Sequence, residues 1–230
     1  MTLAQKPFGA LRSYGRIKGR GLKPRQAAML KAGAERLMLP DPAEGPIEPK
    51  TLMPNLAATW LEIGFGGGEH MAEQAARRPD VLILGAEPFL NGVASAVRHV
   101  EEGALSNVRI LQGDARALLA VLPDASLTRI FVMFPDPWPK TRHHKRRLIQ
   151  DDVLAEMART LVPGGGVRFA TDWAEYADWA LERFLRSPDF RWSAERADDW
   201  RTPPADHVTT RYETKRLGDC DPVFLDFVRQ

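Results

Sequence analysis

The chain alternates short apolar runs with amphipathic stretches from position 58 to about position 190. The apolar runs occupy positions 58–63, 81–87, 108–114, 127–134 and 166–171, and glycine, proline or an acid closes each of them. The stretches between them carry apolar residues three and four positions apart, which is the spacing of one helix face. Five strand–helix alternations predict a doubly wound α/β sheet with mostly parallel strands and right-handed crossovers.

The alternation of strand and helix patterns ends at about position 190. Positions 190–195 and 223–228 have the composition of strands, but a polar, proline-containing stretch separates them instead of a clear helix. Two strands joined without a crossover helix pair more easily in antiparallel fashion. We therefore expect a mostly parallel seven-stranded sheet with an antiparallel C-terminal strand.

The region before position 56 differs in composition from the rest of the chain. Residues 1–36 contain nine lysines and arginines and one acid, and a proline-rich connector follows. We predict a basic N-terminal extension and connector over 1–55, partly flexible over 1–27, and one α/β domain over 56–230. The basic residues form either an arm for a polyanionic partner or a solvated tail.

The remaining composition narrows the class of protein. The net charge of +2 and the hydrophobic content of 44% are ordinary for a globular protein. The single cysteine, Cys220, excludes an internal disulfide and is typical of a reducing compartment. No apolar stretch is long enough for a signal peptide or a membrane helix. We expect a cytoplasmic monomer or homodimer with no membrane contact and no obligate protein partner.

The most unusual stretch runs from position 130 to position 148 and reads IFVMFPDPWPKTRHHKRRL. An apolar strand ends here in three prolines, and proline gives a sheet no amide donor. The turn therefore holds the carboxylate of Asp136 at the end of a strand, where open α/β sheets bind ligands. Trp138 either stacks on a base or plugs the end of the sheet. His143 and His144 are adjacent, which is poor geometry for shared metal ligation, and we expect no metal site.

Acids and glycines follow the first three predicted strands. Glu62 opens a glycine turn that contains Gly64 and Gly66, Glu87 ends the second strand, and Asp114 ends the third. Glycines let a ligand approach the backbone, and a carboxylate after the second strand reaches ribose hydroxyls. A dinucleotide would bring a pyrophosphate, whereas S-adenosylmethionine carries a sulfonium and an ammonium that suit acids. The pattern favours S-adenosylmethionine, with Glu87 at the ribose, Asp114 at the adenine and Glu62 at the methionine end. Helix capping by these acids is the alternative.

Three motifs carry a more specific resemblance. They are FPDPWPKTRHHKRR over 134–147, Thr-Asp-Trp over 171–173 with Tyr176, and Thr-Arg-Tyr-Glu over 210–213. With them, most of the chain resembles the tRNA (guanine-N7)-methyltransferase family. The resemblance implies a Rossmann-like class I methyltransferase fold. It also implies that the chain transfers a methyl group from S-adenosylmethionine to N7 of the guanosine at position 46, in the variable loop of its partner, tRNA.

The resemblance further implies roles for individual residues. Asp136 occupies the catalytic position. The cofactor-binding set, with the two glycines of the turn, is Glu62, Gly64, Gly66, Glu87, Asp114 and Asp136. The substrate-binding set is Lys140, Asp172, Thr210, Arg211, Tyr212 and Glu213. The segment after position 213 is less distinctive and receives no role.

The chemistry of guanine agrees with these positions. N7 carries a lone pair and no proton, so methyl transfer needs no general base and depends on positioning and electrostatics. The N1–H and N2–H₂ donors of guanine suit a carboxylate, which the N1 acceptor of adenine would repel. We expect either Asp136 or Asp172 to hold that edge.

Two other functions fit parts of the sequence. Asp136-Pro137-Trp138 loosely resembles the Asp-Pro-Pro-aromatic turn of amino-methyltransferases that act on nucleic acid or protein, but here the second proline follows the tryptophan. A non-enzymatic RNA-binding module with the same fold is the other alternative. Such a module would not need acids at the strand ends.

Overall fold

Seven strands form one sheet in the structure, a computed structural model that describes residues 11, 13–15, 17 and 19–230. The strands are β1 (Ala58–Ile63), β2 (Val81–Ala86), β3 (Val108–Leu111), β4 (Leu127–Met133), β5 (Leu161–Thr171), β6 (Phe190–Trp192) and β7 (Val223–Arg229). Their order is β3-β2-β1-β4-β5-β7-β6. Strands β1 to β5 pair in parallel, and β7 is antiparallel to both β5 and β6. The predicted fold class is confirmed.

Helices cover both faces of this sheet. They are α1 (Pro24–Leu37), α2 (Pro49–Leu52), α3 (Glu69–Arg77), α4 (Leu90–Glu102), α5 (Ala115–Val121), α6 (Asp151–Thr160), α7 (Ala174–Arg186) and α8 (Asp198–Arg201), with 3₁₀ helices at Pro42–Glu44, Thr141–Arg146 and Glu213–Lys215. One apolar core lies beneath α5, α6 and α7, and the other beneath α1, α3 and α4. Among the described residues, no helix combines the length and apolarity that crossing a bilayer requires.

The chain reverses its direction of travel across the sheet between β1 and β4. From β1 it moves outwards through β2 to β3, and it then returns to β4 on the other side of β1. In open α/β sheets this switch point leaves a crevice at the carboxyl ends of the strands, where ligands bind. The glycine turn after β1 and the proline-rich turn after β4 are therefore neighbours.

The segment between α1 and β1 packs against the edge of the sheet. The backbone N–H of Leu39 donates to the carbonyl of Ile110 in β3 at 2.8 Å, and Leu37 is fully buried. Residues 24–55 thus share a core with the α/β domain, and the domain boundary at position 55 stays a prediction. Of the predicted flexible extension, residues 1–10, 12, 16 and 18 lie outside the described residues.

Strand β5 begins earlier than the sequence indicates. Its predicted start is position 166, after a proline–glycine stretch, but the strand begins at Leu161. Leu127 pairs with Leu161 and Arg129 pairs with Gly166, so the intervening residues form a bulge, with Gly164 at a φ of 80°. A bulge accommodates glycines that a regular strand would disfavour.

Candidate active site

Two cavities meet at the carboxyl ends of the central strands. The first cavity encloses about 440 Å³, and its lining includes Glu87, Asp114 and Asp136. The second cavity encloses about 590 Å³, and its lining includes Glu62 and Arg211. The residues common to both linings are Gly64, Gly66, Phe89, Phe134 and Tyr212. The six predicted cofactor-side residues therefore line one continuous site together with Thr210, Arg211 and Tyr212 of the substrate-side set, whereas Lys140, Asp172 and Glu213 line neither cavity.

The glycine turn after β1 forms the partition between the two cavities. Gly64 has a φ of 70° and Gly66 a φ of 54°, which L-residues with a side chain rarely adopt. A Cβ atom built on either glycine would meet no atom within 4 Å, so open space lies above this backbone. The turn requires glycine for its conformation and leaves room for a ligand against the main chain.

Glu87 is fixed at the end of β2 by the glycine turn. Its Oε2 accepts the N–H of Gly66 at 2.9 Å, and its Oε1 accepts the N–H of Phe89 at 2.8 Å. Burial raises the pKa of this carboxyl, although the two backbone hydrogen bonds oppose the shift. Each oxygen keeps a lone pair that can accept a further donor, such as a ribose hydroxyl.

Asp114 performs the helix-capping role that was the alternative to cofactor binding. Its Oδ1 accepts the backbone N–H of Arg116 at 3.0 Å and so caps α5. The guanidinium of Arg116 also donates to both carboxylate oxygens, at 3.0 and 2.7 Å. Capping and ligand binding are compatible here, because Asp114 and Arg116 both line the first cavity.

Asp136 lies on a strained turn after β4. Phe134 has a φ of 51° and Trp138 a φ of 45°, so two large side chains occupy the left-handed region on either side of it. The Asp136 side chain is open to solvent from the concave first cavity, and partial burial of the carboxyl raises its pKa. The carboxylate is therefore accessible to a ligand, and its ionisation responds to the charge of that ligand.

The cation block after the turn divides into an inward and an outward part. Arg147 is buried: its Nε donates to the carbonyl of Pro137 at 2.8 Å, and its guanidinium lies 5.0 Å from the rings of both Tyr176 and Trp179. It therefore holds the turn from inside the protein. Lys140, together with Arg142, is exposed on the outer side.

Arg146 lies between these two parts, at the mouth of the first cavity. Its guanidinium is 5.0 Å from the rings of Tyr14 and Trp138. Ser13, Tyr14 and Gly15 line the same cavity, so a described part of the basic N-terminal segment reaches the site. The two predicted roles of Trp138 stay open, although its ring lines the cavity.

Asp172 is enclosed by residues from the C-terminal loop. Its Oδ1 accepts the hydroxyl of Tyr212 at 3.3 Å, and its backbone carbonyl accepts the N–H groups of Asp219 and Cys220. A side chain at Gly218 would collide with Asp172. Positions 218–220 belong to none of the three motifs. The only sign in the sequence of their contact with Asp172 is a glycine in a polar stretch.

The motif over 210–213 is held by internal hydrogen bonds. Oε1 of Glu213 accepts from Nε2 of His207 at 2.8 Å, and Oε2 accepts the N–H of Thr210 at 2.8 Å. Burial disfavours ionisation of Glu213, but the hydrogen bonds from His207 and Thr210 outweigh it and lower the pKa. The carboxylate therefore shapes the loop, while Thr210, Arg211 and Tyr212 line the second cavity.

Helix α3 buries two polar residues that the apolar periodicity did not predict. Its apolar residues Met71, Ala72, Ala75 and Ala76 predict one buried face, but Ala72 is half-buried and Ala76 is exposed. His70 and Gln74 are buried in their place, beside Met71 and Ala75. Polar residues four positions apart on a helix are normally taken for its solvated face, so the pattern could not reveal them.

The sequence is similar to a protein family and to curated relatives. The family, described as “Putative methyltransferase”, matches residues 57–224. The tRNA (guanine-N(7)-)-methyltransferase of Caulobacter sp. (strain K31) is 62% identical over 229 residues, which cover 100% of both chains. The enzyme of the same name from Hyphomonas neptunium (strain ATCC 15444) is 52% identical, over 94% of this chain and 99% of its own.

Solved structures with low sequence identity share the fold. TrmN from Thermus thermophilus superimposes with a TM-score of 0.52 at 18% identity, over 89% of this chain and 48% of its own. A variant of the 16S rRNA (adenine(1408)-N(1))-methyltransferase from Catenulisporales acidiphilia gives a TM-score of 0.52 at 16% identity, over 83% of this chain and 91% of its own. At these identities the likeness supports the architecture alone.

Proposed function

Because this chain belongs to the tRNA (guanine-N7)-methyltransferase family, we propose that it transfers a methyl group from S-adenosylmethionine to N7 of a guanosine in the variable loop of tRNA, at position 46. The observation that carries the proposal is the 62% identity over the whole chain to an enzyme of that name. We place the reaction in the cytoplasm, where tRNA is found.

The first cavity suits the adenosine part of S-adenosylmethionine. Glu87 is held with lone pairs free for the ribose hydroxyls, and Asp114 lies at the end of β3 for the adenine edge. The glycine turn leaves open space over Gly64 and Gly66 for close approach to the backbone. When bound, the cofactor supplies the methyl group as an electrophile on its sulfonium.

The second cavity suits the amino-acid end of the same molecule. Glu62 and Glu69 line it together with three cations, Arg98, Arg211 and Lys215. Oε1 of Glu69 is buried without a hydrogen-bond partner, which leaves an acceptor for an ammonium group. Acids and cations side by side fit a zwitterion, with the carboxylates at the ammonium and the cations at the carboxylate.

Asp136 is the better placed of the two candidates for the guanine edge. It faces the first cavity and is accessible, whereas Asp172 is buried behind the hydroxyl of Tyr212. As an acceptor, Asp136 orients the N1–H and N2–H₂ donors and favours the positive charge that N7 methylation creates on the ring. Asp172 then acts through Tyr212, whose ring packs 5.6 Å from that of Phe134.

Exposed cations beside the cavities supply the RNA-binding surface. Lys140 and Arg142 are exposed next to the Asp136 turn, and Arg20 and Arg25 are exposed at the start of the described chain. Phosphates of tRNA bind such residues without regard to sequence and fix its orientation. The substrate-side residues proposed for tRNA are Lys140, Asp172, Thr210, Arg211, Tyr212 and Glu213, with Glu213 acting through the shape of its loop.

Incubation with labelled S-adenosylmethionine and bulk tRNA, followed by nucleoside analysis, tests the proposal. We expect 7-methylguanosine from the variable loop, and no label in a transcript whose target guanosine is replaced by adenosine. Label in an exocyclic amine of a base or in protein would favour the amino-methyltransferase alternative. Binding of tRNA without any transfer would favour a non-catalytic module.

A further inference from the structure

A row of buried polar groups runs behind the second cavity. Nδ1 of His70 lies 2.6 Å from Oε2 of Glu62, and Nε2 of His70 lies 3.3 Å from Nε2 of Gln74. The same Gln74 nitrogen donates to the backbone carbonyl of Asp206 at 2.8 Å. Glu62, His70 and Gln74 are each at most 2% exposed. His70 and Gln74 have no part in the function proposed above.

The carbonyl of Asp206 fixes the direction of these hydrogen bonds. A carbonyl only accepts, so the Gln74 side chain presents its NH₂ group to it, and the second hydrogen of that group faces Nε2 of His70. Nε2 of His70 is then the acceptor, and the ring proton lies on Nδ1. From there it is donated to Glu62.

We propose that His70 is a positioning residue that holds Glu62 for the ammonium group of S-adenosylmethionine, and that Gln74 links this pair to the loop bearing Thr210. The inference rests on the proposed function, because it assigns the second cavity to the amino-acid end of the cofactor. It adds two residues of α3 to the site and a route by which the substrate-side loop affects cofactor binding.

The surroundings of His70 leave its ring one orientation. The ring packs edge-on against Phe131 of β4, with the centroids 4.9 Å apart at an angle of 69°. Its Nδ1–H group therefore stays directed at Oε2 of Glu62, and Glu62 lines the second cavity. Without this donor a buried carboxylate oxygen would lose its partner, and Glu62 would turn away from the position that a ligand needs.

The other end of the row is anchored by ion pairs. The carboxylate of Asp206 pairs with Arg129 of β4 at 2.9 Å and also with Arg168 of β5. Thr210, four residues further along the same loop, lines the second cavity. The loop that forms one wall of the cavity is therefore the loop that orients Gln74 and, through it, His70.

Calorimetric titration with two product-like ligands tests the assignment. S-Adenosylhomocysteine keeps the ammonium group, whereas 5′-methylthioadenosine has the adenosine and thioether but lacks the amino-acid end. We expect His70→Leu to weaken the binding of S-adenosylhomocysteine by roughly ten- to a hundredfold, because leucine cannot donate the hydrogen bond that positions the charged carboxylate of Glu62. The affinity for 5′-methylthioadenosine stays unchanged. His70→Asn, whose amide can occupy the Nδ1 position, restores most of the affinity. Gln74→Met gives a smaller, severalfold loss with the same selectivity.

Asn107→Leu is the matched control for a buried polar residue. Asn107 is 2% exposed, and its amide donates to three backbone carbonyls away from both cavities. We expect this variant to be less stable but to bind both ligands like the unmodified protein. In kinetic assays, His70→Leu raises the KM for S-adenosylmethionine far more than it lowers kcat.

Two results would overturn the inference. One is that His70→Leu and Gln74→Met bind S-adenosylhomocysteine as tightly as the unmodified protein. The other is that the two variants lose affinity for both ligands equally, which would mean a general disturbance of the fold. If the unmodified protein binds neither ligand, the proposed function fails instead.

Discussion

At the residue scale, Asp136 combines accessibility with a rigid support. The φ values of Phe134 and Trp138 show that the turn around it is strained, and Arg147 fastens that turn through the carbonyl of Pro137. A carboxylate held in this way loses little freedom when a base binds, which is the advantage of a preorganised acceptor. In the proposed reaction the acid therefore contributes by orientation and charge, and N7 of guanine has no proton to abstract.

Replacing Asp136 by asparagine tests this role. The amide keeps the shape of the side chain but presents an acceptor and a donor to the two donors of guanine. We expect kcat with tRNA to fall by roughly 10²–10³-fold, a larger loss than the loss of affinity for S-adenosylhomocysteine. Asp172→Asn is the comparison; a larger loss of guanine selectivity there would transfer the edge-binding role to Asp172.

The raised pKa of Asp136 predicts a pH effect on the rate. Burial makes the carboxyl bind a proton at a higher pH than an ordinary aspartate does. The acceptor is therefore present above the raised pKa and is lost as the pH falls through it. We expect kcat/KM to decline on this acidic limb, and the limb to be absent from the pH–rate profile of Asp136→Asn. An identical limb in both would assign it to another group.

Gly218 supports the site through its lack of a side chain. A Cβ atom at this position would collide with the carbonyl and side chain of Asp172. We expect Gly218→Ala to destabilise the protein by about 1–3 kcal/mol, measured as a lower melting temperature, and to reduce activity. Gly21→Ala is the control, since its Cβ would meet nothing within 4 Å. Equal melting temperatures for the two variants would contradict this packing role.

The sequence predicts the acids of the site better than the residues behind them. Glu62 lies near the end of β1, and Glu87 and Asp136 follow β2 and β4, so strand ends alone place them at one edge of the sheet. Their surroundings depend on contacts between distant parts of the chain. The bond from Gln74 to Asp206 spans 132 residues, and no local pattern carries that information.

At the element scale, the strands and helices with a clear apolar pattern agree with the sequence. Strand β1 has the predicted bounds, and β2 is buried along its whole length as its composition indicates. The stretch from 202 to 222 was not predictable in the same way, because polar contacts instead of a periodic apolar face hold it. The ion pairs of Asp206 and the bond between His207 and Glu213 are examples.

The exposed side of the segment after β4 predicts a salt effect. We expect the double variant Lys140→Glu, Arg142→Glu to bind tRNA more weakly and with a flatter dependence on salt concentration. The slope of log affinity against log salt concentration should decrease in magnitude by about 0.7–0.9 for each phosphate that the variant no longer neutralises. Lys50→Glu is the control, because Lys50 is an exposed cation in α2, before β1 and away from the carboxyl ends of the strands. The measurement is filter binding across a salt series; equal slopes for the two variants would exclude this segment from the interface.

At the scale of the whole molecule, the two basic segments of the chain converge on one site. Tyr14 lies at the mouth of the first cavity, where Arg146 from the segment after β4 packs against its ring. Residues 13–15 of the N-terminal segment line the cavity proposed for the cofactor, so we expect this segment to contact the cofactor as well as the RNA. From the sequence it was either an arm for a polyanionic partner or a solvated tail.

Removing residues 1–22 tests this double role. The deletion takes away Ser13, Tyr14 and Gly15 from the wall of the first cavity and several cations besides. We expect weaker binding of 5′-methylthioadenosine by calorimetry and a flatter salt dependence of tRNA binding. Unchanged affinity for the small ligand would restrict the segment to a role in RNA binding.

The reversed direction of β7 has a practical consequence for such measurements. Val223 pairs with Thr171 beside the site, and Val228 pairs with Gly166 at the other end of the paired region, so β7 leads away from the cavities. Gln230 follows it, exposed, with its N–H bonded to the carbonyl of Asp189. A biotin attached at Gln230 would immobilise the protein with its cavities facing the solution, so that a molecule as large as tRNA could reach them.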